Sequence, residues 1–378
     1  MKKGIFVIML IMFCKQLEAQ TTIVDSFVHG GLMRTYRLYI PAIYNANNAV
    51  PVVLNLHGYT SNGLQQELYA DFRPIADTAN FIIAHPDGTF DATNNRFWNV
   101  FGLSPVDDNG FLTALLDTIA THYTVNPNKV YATGMSNGGY MSHQLACNVS
   151  NRITAIASVT GTMTMAMKLT CMPAHPTPMM EIHGTADGVV PYGGAGVNLP
   201  IDTVVAYWVA VNQCNQVPSI NAVPDVVVND GCTATHSVYS GGMKGAGVEF
   251  YKINGGGHTW PGAPINVGVT NMDFSASKEI WRFFSQYTLS NLTTGSMEQM
   301  VSNSPFFEIY PNPAVKNINI RFANQQSKLV SIYNTIGEKI YSNQTNDGLL
   351  NIPFNSSGIY FLQVRDHQQF YTKKIVIE

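Results

Sequence analysis

Ser136 stands in Gly134-Met135-Ser136-Asn137-Gly138, between the apolar run Lys129-Val130-Tyr131-Ala132-Thr133 and a helix-like stretch over 139–146. A strand, then G-x-S-x-G, then a helix is the context that a nucleophile elbow requires. The two glycines let the chain reverse sharply without Cβ clashes, so the serine hydroxyl projects from a sheet edge. An elbow of this kind is useful only in a sheet whose later strands deliver an acid and a histidine to the same edge. The constraint can therefore be tested further along the chain.

Both partners are found. Pro178-Met179-Met180-Glu181-Ile182-His183 reads as a buried strand and ends in Gly184-Thr185-Ala186-Asp187-Gly188. Val248–Ile253 reads as another strand and runs into Asn254-Gly255-Gly256-Gly257-His258-Thr259-Trp260. The chain order Ser136, Asp187, His258 is that of α/β-hydrolases. An early strand, Val52-Val53-Leu54-Asn55-Leu56, leads into His57-Gly58-Tyr59. The Tyr59 and Asn137 backbone N–H groups are the expected oxyanion donors. His57, His85 and His183 also end strands, but none holds the late position, and a structural role is expected for each. Asp107 and Asp108 precede a helical pattern and are expected to cap it or form its turn.

Strands are expected over 35–40, 52–56, 81–85, 129–133, 154–159, 179–183 and 248–253. Helices are expected over 65–79, 110–122, 139–147, 201–212 and 275–287. This alternation implies an α/β fold with a mostly parallel sheet covered on both faces. From about residue 306 the texture changes to short alternating runs separated by turn signals, which predicts a small all-β sandwich. The expected division is a signal peptide over 1–19, a catalytic-type domain over 20–289, a linker over 290–305 and a C-terminal sandwich over 306–378.

The N-terminus carries Lys2, Lys3 and an apolar core, Ile5 to Phe13, too short to span a bilayer. No other stretch reads as transmembrane. A net charge of −3 with 12% charged residues gives no electrostatic case for nucleic acid. Beyond the signal segment lie Cys147, Cys171, Cys214 and Cys232. An even count in an exported chain favours disulfides, and Cys147–Cys171 with Cys214–Cys232 is the preferred of three pairings. Trp98 and Trp260 are the candidate substrate walls, each offering an aromatic face.

Two resemblances rest on these motifs. The tail has Tyr310-Pro311-Asn312-Pro313, then 330–337, then Ser357-Gly358-Ile359-Tyr360-Phe361 and a last strand with Lys373-Lys374. It resembles the type A C-terminal sorting domain of the type IX secretion system. That implies export across an outer membrane, with the secretion machinery as partner and the cell surface or exterior as destination. The large domain resembles secreted esterases related to polyhydroxybutyrate depolymerases and to feruloyl and acetylxylan esterases, carbohydrate esterase family 1. The matching segments include Leu56-His57-Gly58-Tyr59, His85-Pro86-Asp87-Gly88, Phe97-Trp98-Asn99, the serine elbow, His183 to Asp187 and 256–262. The resemblance implies a Ser136–His258–Asp187 triad with Tyr59 and Asn137 as oxyanion donors, and neither cofactor nor metal. The expected activity is hydrolysis of feruloyl or acetyl esters on xylan. A polyester depolymerase and an inactive surface-binding module are the alternatives.

Overall fold

The computed structural model describes residues 21–293, 307–335, 338–365 and 370–378. The expected signal peptide (1–19) and residues 294–305 of the expected linker lie outside the described residues. In chain order the strands of the first part are β1 (Thr21–His29), β2 (Leu32–Ile40), β3 (Val50–Leu56), β4 (Ile82–Pro86), β5 (Thr89–Phe90), β6 (Arg96–Phe97), β7 (Val125–Met135), β8 (Ala155–Val159), β9 (Met179–Gly184), β10 (Ser219–Ala222), β11 (Thr233–Tyr239) and β12 (Val248–Asn254). The helices are α1 (Gly63–Tyr69), α2 (Arg73–Ala79), α3 (Asp108–His122), α4 (Asn137–Asn148), α5 (Met165–Thr170), α6 (Ile201–Val211), α7 (Ala276–Phe284) and α8 (Leu289–Thr293).

Ten strands form one sheet in the order β1-β2-β4-β3-β7-β8-β9-β12-β11-β10. The six central strands run parallel. Antiparallel pairs close both edges. The central strands are apolar on both sides because helices cover both faces. One core joins Leu54, Ala132 and Ile156 to Phe111, Leu115, Leu145 and Trp208 of α3, α4 and α6. The other joins Val53, Tyr131 and Ala157 to Ala76, Ile280 and Phe283 of α2 and α7. All seven expected strands are present; the edge strands β1, β10 and β11 are additional.

The expected helix over 65–79 is two helices. Ala70 caps α1, and Pro74 lies in the first turn of α2, where its missing N–H costs nothing. In mid-helix the same proline would remove a bond and clash with the preceding turn. The start of the expected linker is also ordered: α8 reaches Thr293 and buries Leu292.

The last part holds β13 (Phe307–Tyr310), β14 (Asn317–Phe322), β15 (Lys328–Asn334), β16 (Lys339–Thr345), β17 (Leu349–Pro353), β18 (Gly358–Arg365) and β19 (Phe370–Ile377). They form two antiparallel sheets, β13-β14-β17 and β16-β15-β18-β19. Alternate residues such as Ile318, Ile320, Val330, Ile332, Leu362, Val364 and Ile375 fill the space between them. Asn312 fastens the start of this unit to its end. Its Nδ2 donates to the Lys374 carbonyl at 2.8 Å, and its Oδ1 accepts from the Val376 N–H at 2.9 Å.

Candidate active site

Ser136 follows the last residue of β7 with φ 55° and ψ −120°. A non-glycine residue at positive φ is strained and persists only where its surroundings enforce it. Here the enforcement is close packing. A Cβ on Gly138 would lie 2.1 Å from the Leu56 carbonyl oxygen, and one on Gly134 would lie 2.6 Å from both Leu56 and Gly138 backbone atoms. The elbow is thus pressed against the end of β3, and only glycine fits at either position. The Ser136 N–H donates to the Val159 carbonyl at 2.9 Å, which ties the elbow to the end of β8.

The same stitching continues along the sheet edge. The Thr160 N–H donates to the Ile182 carbonyl at 2.9 Å. The Thr185 N–H donates to the Ile253 carbonyl at 2.8 Å, and the Ala186 N–H to that of Gly256 at 3.0 Å. A Cβ at Gly184 would meet the Gly256 oxygen at 2.2 Å, so the turns after β9 and β12 touch backbone to backbone. That contact brings His258 to Asp187, with Nδ1 2.7 Å from Oδ2. The other carboxylate oxygen accepts the N–H groups of Val189 and Val190, both at 2.8 Å. Burial alone would raise the Asp187 pKa. The His258 hydrogen bond, its charge and the two backbone donors outweigh burial and hold the acid below its ordinary value.

On the other side of Ser136, two side chains set the backbone. Asn137 clamps Trp98: its Oδ1 accepts from the Trp98 N–H at 2.6 Å and its Nδ2 donates to the Trp98 carbonyl at 3.1 Å. His57 Nε2 accepts from the Gly88 N–H at 2.9 Å, so the ring proton sits on Nδ1 and is donated to the Gly58 carbonyl at 2.7 Å. In a trans peptide the C=O and N–H point in opposite directions. Pulling the Gly58 oxygen toward His57 therefore turns the Tyr59 N–H the other way, and Gly58 itself abuts the Ser136 Cβ. Burial lowers the His57 pKa to about 4, which keeps this arrangement neutral.

A family model described as phospholipase/carboxylesterase matches residues 40–198, and one described as secretion system C-terminal sorting domain matches residues 308–378. The chain is a carboxylic ester hydrolase with the α/β-hydrolase fold. Its tail is a sorting domain, which directs the esterase through type IX secretion to the cell surface or beyond. Among relatives, the esterase is 28% identical to feruloyl esterase B of Piromyces equi over 58% of this chain and 41% of that protein. It is 24% identical to poly(3-hydroxyalkanoate) depolymerase C of Paucimonas lemoignei over 69% of this chain and 66% of that protein. Among solved structures, the acetyl xylan esterase of Aspergillus awamori aligns with a TM-score of 0.52 at 14% identity. The alignment covers 71% of this chain and 99% of that one, and shows the shared fold.

Two sequence expectations are corrected in the esterase. Trp98 and Trp260 are not substrate walls, being 0% and 1% exposed. Trp98 Nε1 donates to the His57 carbonyl at 3.0 Å, and Trp260 Nε1 to Ser277 Oγ at 3.1 Å. Other apolar side chains beside the same motifs are exposed. Tyr59 is 47% exposed, Val189 is 67% exposed and Phe101 is 45% exposed, with Phe101 resting on Tyr140. Their only sequence signal is proximity to Gly58, Asp187 and Trp98. The cysteines divide: Cys147 and Cys171 are bonded, whereas Cys214 and Cys232 are separate buried thiols. Cys232 precedes the first residue of β11, while Asn215 bonds Ser240 beyond its last. Seven strand residues span about 23 Å, far beyond disulfide reach.

Asp107 caps α3 as expected, accepting from the Gly110 N–H at 2.8 Å. Asp108 does more: buried, it pairs with Arg34 at 2.7 Å and accepts the Asn99 N–H at 2.7 Å. Among the described residues, no helix is long and apolar enough to cross a membrane.

Proposed function

We propose that the protein is a secreted serine esterase of cell-wall polysaccharide, removing feruloyl or acetyl groups from xylan-type chains. The observation that carries the reading is the Asp187–His258 pair at 2.7 Å on the sheet edge that also presents Ser136 at a strained elbow. His258 Nδ1 is engaged by the acid, which leaves Nε2 to take the Ser136 proton as the hydroxyl attacks the ester carbonyl. Asp187 fixes the ring tautomer and stabilises the imidazolium. The Tyr59 and Asn137 N–H groups stabilise the oxyanion; the Asn137 N–H heads α4, where no intrahelical acceptor exists. Collapse expels the alcohol, protonated by His258. Water then attacks the acyl-enzyme by the same route and frees the acid.

The feruloyl preference draws on the similarity to feruloyl esterase B and on the exposed rings of Tyr59 and Phe101, which offer faces for an acyl ring to stack on. The division of labour follows the sequence, with α8 added to the esterase: a signal peptide over 1–19, the esterase from 20 to the end of α8, a linker up to 305 and the sorting sandwich over 306–378.

The test is a hydrolysis panel of methyl ferulate, acetylated xylan, p-nitrophenyl acetate and polyhydroxybutyrate, run with wild type and Ser136→Ala. Selective release of ferulate or xylan acetate, lost in Ser136→Ala together with fluorophosphonate labelling, is the expected result. Polyester hydrolysis with little wall-ester activity would make the similarity to the depolymerase the better guide. Labelling with no hydrolysis of any of the four would point to a different ester.

A further inference from the structure

Behind Asp187 lies a line of buried polar side chains that the proposed chemistry does not use. It begins at Trp208 on α6, whose Nε1 lies 3.1 Å from His143 Nδ1. An indole N–H only donates, so His143 accepts at Nδ1 and carries its proton on Nε2. That nitrogen faces Glu181 Oε2 at 3.3 Å. The other oxygen of Glu181 accepts from Ser158 Oγ at 3.3 Å and lies 3.5 Å from His183 Nδ1. His183 Nε2 is 2.9 Å from the Val190 carbonyl and 3.4 Å from Asp187 Oδ2. His143, Glu181 and His183 are fully buried, and Asp187 nearly so.

The donors and acceptors along this line admit few protonation patterns. A carbonyl only accepts, so His183 Nε2 must bear a proton. Its Nδ1 lies 3.5 Å from Glu181 Oε1 and bonds to no described residue, so a proton between the two would relieve a buried contact of lone pairs. On Glu181 that proton would leave Asp187 with His258 and two backbone N–H groups as partners but no cation on its inner side. On His183 it puts a cation between two carboxylates, which is the arrangement that low-dielectric surroundings favour.

We propose that His183 is a positioning residue of the catalytic site: as an imidazolium held between Glu181 and Asp187, it fixes the Asp187 carboxylate toward His258 and tempers its charge. The proposal rests on the reading of Asp187 and His258 as acid and base. Burial on its own would lower the His183 pKa, but Glu181, the Val190 carbonyl and Asp187 together raise it. The other groups around the ring do not compete. Tyr192 packs edge-on at 6.2 Å and donates its hydroxyl to Asp202. Lys252, the register partner on β12, stands over the Tyr192 ring at 4.8 Å. Tyr140 on α4 is held neutral, its pKa raised by burial and by the two acids.

The functional consequence is on His258. Asp187 Oδ2 is shared between His258 and His183, so the cation offsets part of the field that favours protonation of His258. The acid limb of the reaction is therefore placed lower with the cation than without it.

Histidine-selective 15N NMR on the purified protein reads the ring directly, with His183→Gln assigning the signal. Two protonated nitrogens on His183 are expected to persist above the ordinary histidine pKa of about 6.5, and one in Glu181→Gln. In both variants the acid limb of kcat/KM is expected to move up by about half to one pH unit. A singly protonated His183 in the wild type overturns the proposal. So does an acid limb that stays in place while kcat/KM falls uniformly, the mark of a merely structural role. Should Glu181→Gln not fold, the wild-type spectrum decides. Ser136→Ala separates the two readings: full activity there removes the triad, while the protonation of His183 is still judged by its spectrum.

Discussion

At the scale of single residues, His57 shows how a side chain can act on chemistry through a peptide plane. It bonds the Gly88 N–H and the Gly58 carbonyl, and the second bond turns the Tyr59 N–H away from His57, as the proposed oxyanion role requires. His57→Gln is expected to lower kcat by about 10- to 100-fold, a part of the cost of losing one oxyanion donor, with little change in KM. Steady-state kinetics on p-nitrophenyl acetate check this; a changed KM at constant kcat would assign His57 to substrate binding. Phe101→Ala is expected to raise KM for methyl ferulate several-fold more than for p-nitrophenyl acetate, because only the former carries its ring in the acyl group. Equal effects on both would remove Phe101 from the acyl site. The placement of Ser136, Asp187 and His258 at strand ends was legible in the sequence because each sits in a turn after an apolar run. The role of His57 was not, since it depends on which way one peptide faces. Nor was the burial of Trp98 and Trp260, because an aromatic beside a motif looks the same in sequence whether its face is open or packed.

At the scale of elements, the parallel strands were readable because both their faces are buried, which leaves continuous apolar runs such as Val52–Leu56. The edge strands were not. All four residues of β10 are exposed, and β1 buries none of its nine residues fully, so neither shows the pattern of a buried strand. The disulfide also belongs to this scale. Cys147 lies in the last turn of α4 and Cys171 caps α5, so their bond ties the elbow helix to the segment that leads into β9. Closing a loop of 24 residues contributes about 3 kcal/mol through the unfolded chain. Cys147→Ala/Cys171→Ala should therefore lose about that much in urea unfolding, with little effect on kcat. Thiol titration of the chain beginning at residue 20 should find two thiols, and only after unfolding, since Cys214 and Cys232 are buried. A titre of zero would restore the second bridge.

At the scale of the whole molecule, acid stability is set by histidines that the fold buries in neutral form. Burial lowers His57 to about 4 and His85 to about 3. His85 lies inside β4, and its ring nitrogens bond to no described residue. Both values lie below the unfolded value near 6.5, so this stability is complete above about pH 6.5 and is lost as pH falls. From there down to about 4, the unfolded chain binds two protons that the native state refuses. The slope approaches about 2.7 kcal/mol per pH unit, two protons at about 1.4 each. Asp187 and Glu249, both held below their ordinary values, add their losses only further down, in the carboxylate range. His183 acts in the opposite sense: its raised pKa contributes fully below about 6.5 and is lost only as pH rises through its native value. Urea unfolding between about pH 7 and 5 should show stability falling on the acid side well before any carboxylate titrates. His85→Leu removes a buried polar ring that makes no bond to a described residue, so it should fold at neutral pH with equal or greater stability. Its acid slope should be about half that of the wild type, one refused proton in place of two. An unchanged slope in His85→Leu would mean that His85 is not refused its proton in the native state, and the acid sensitivity would have to come from another group.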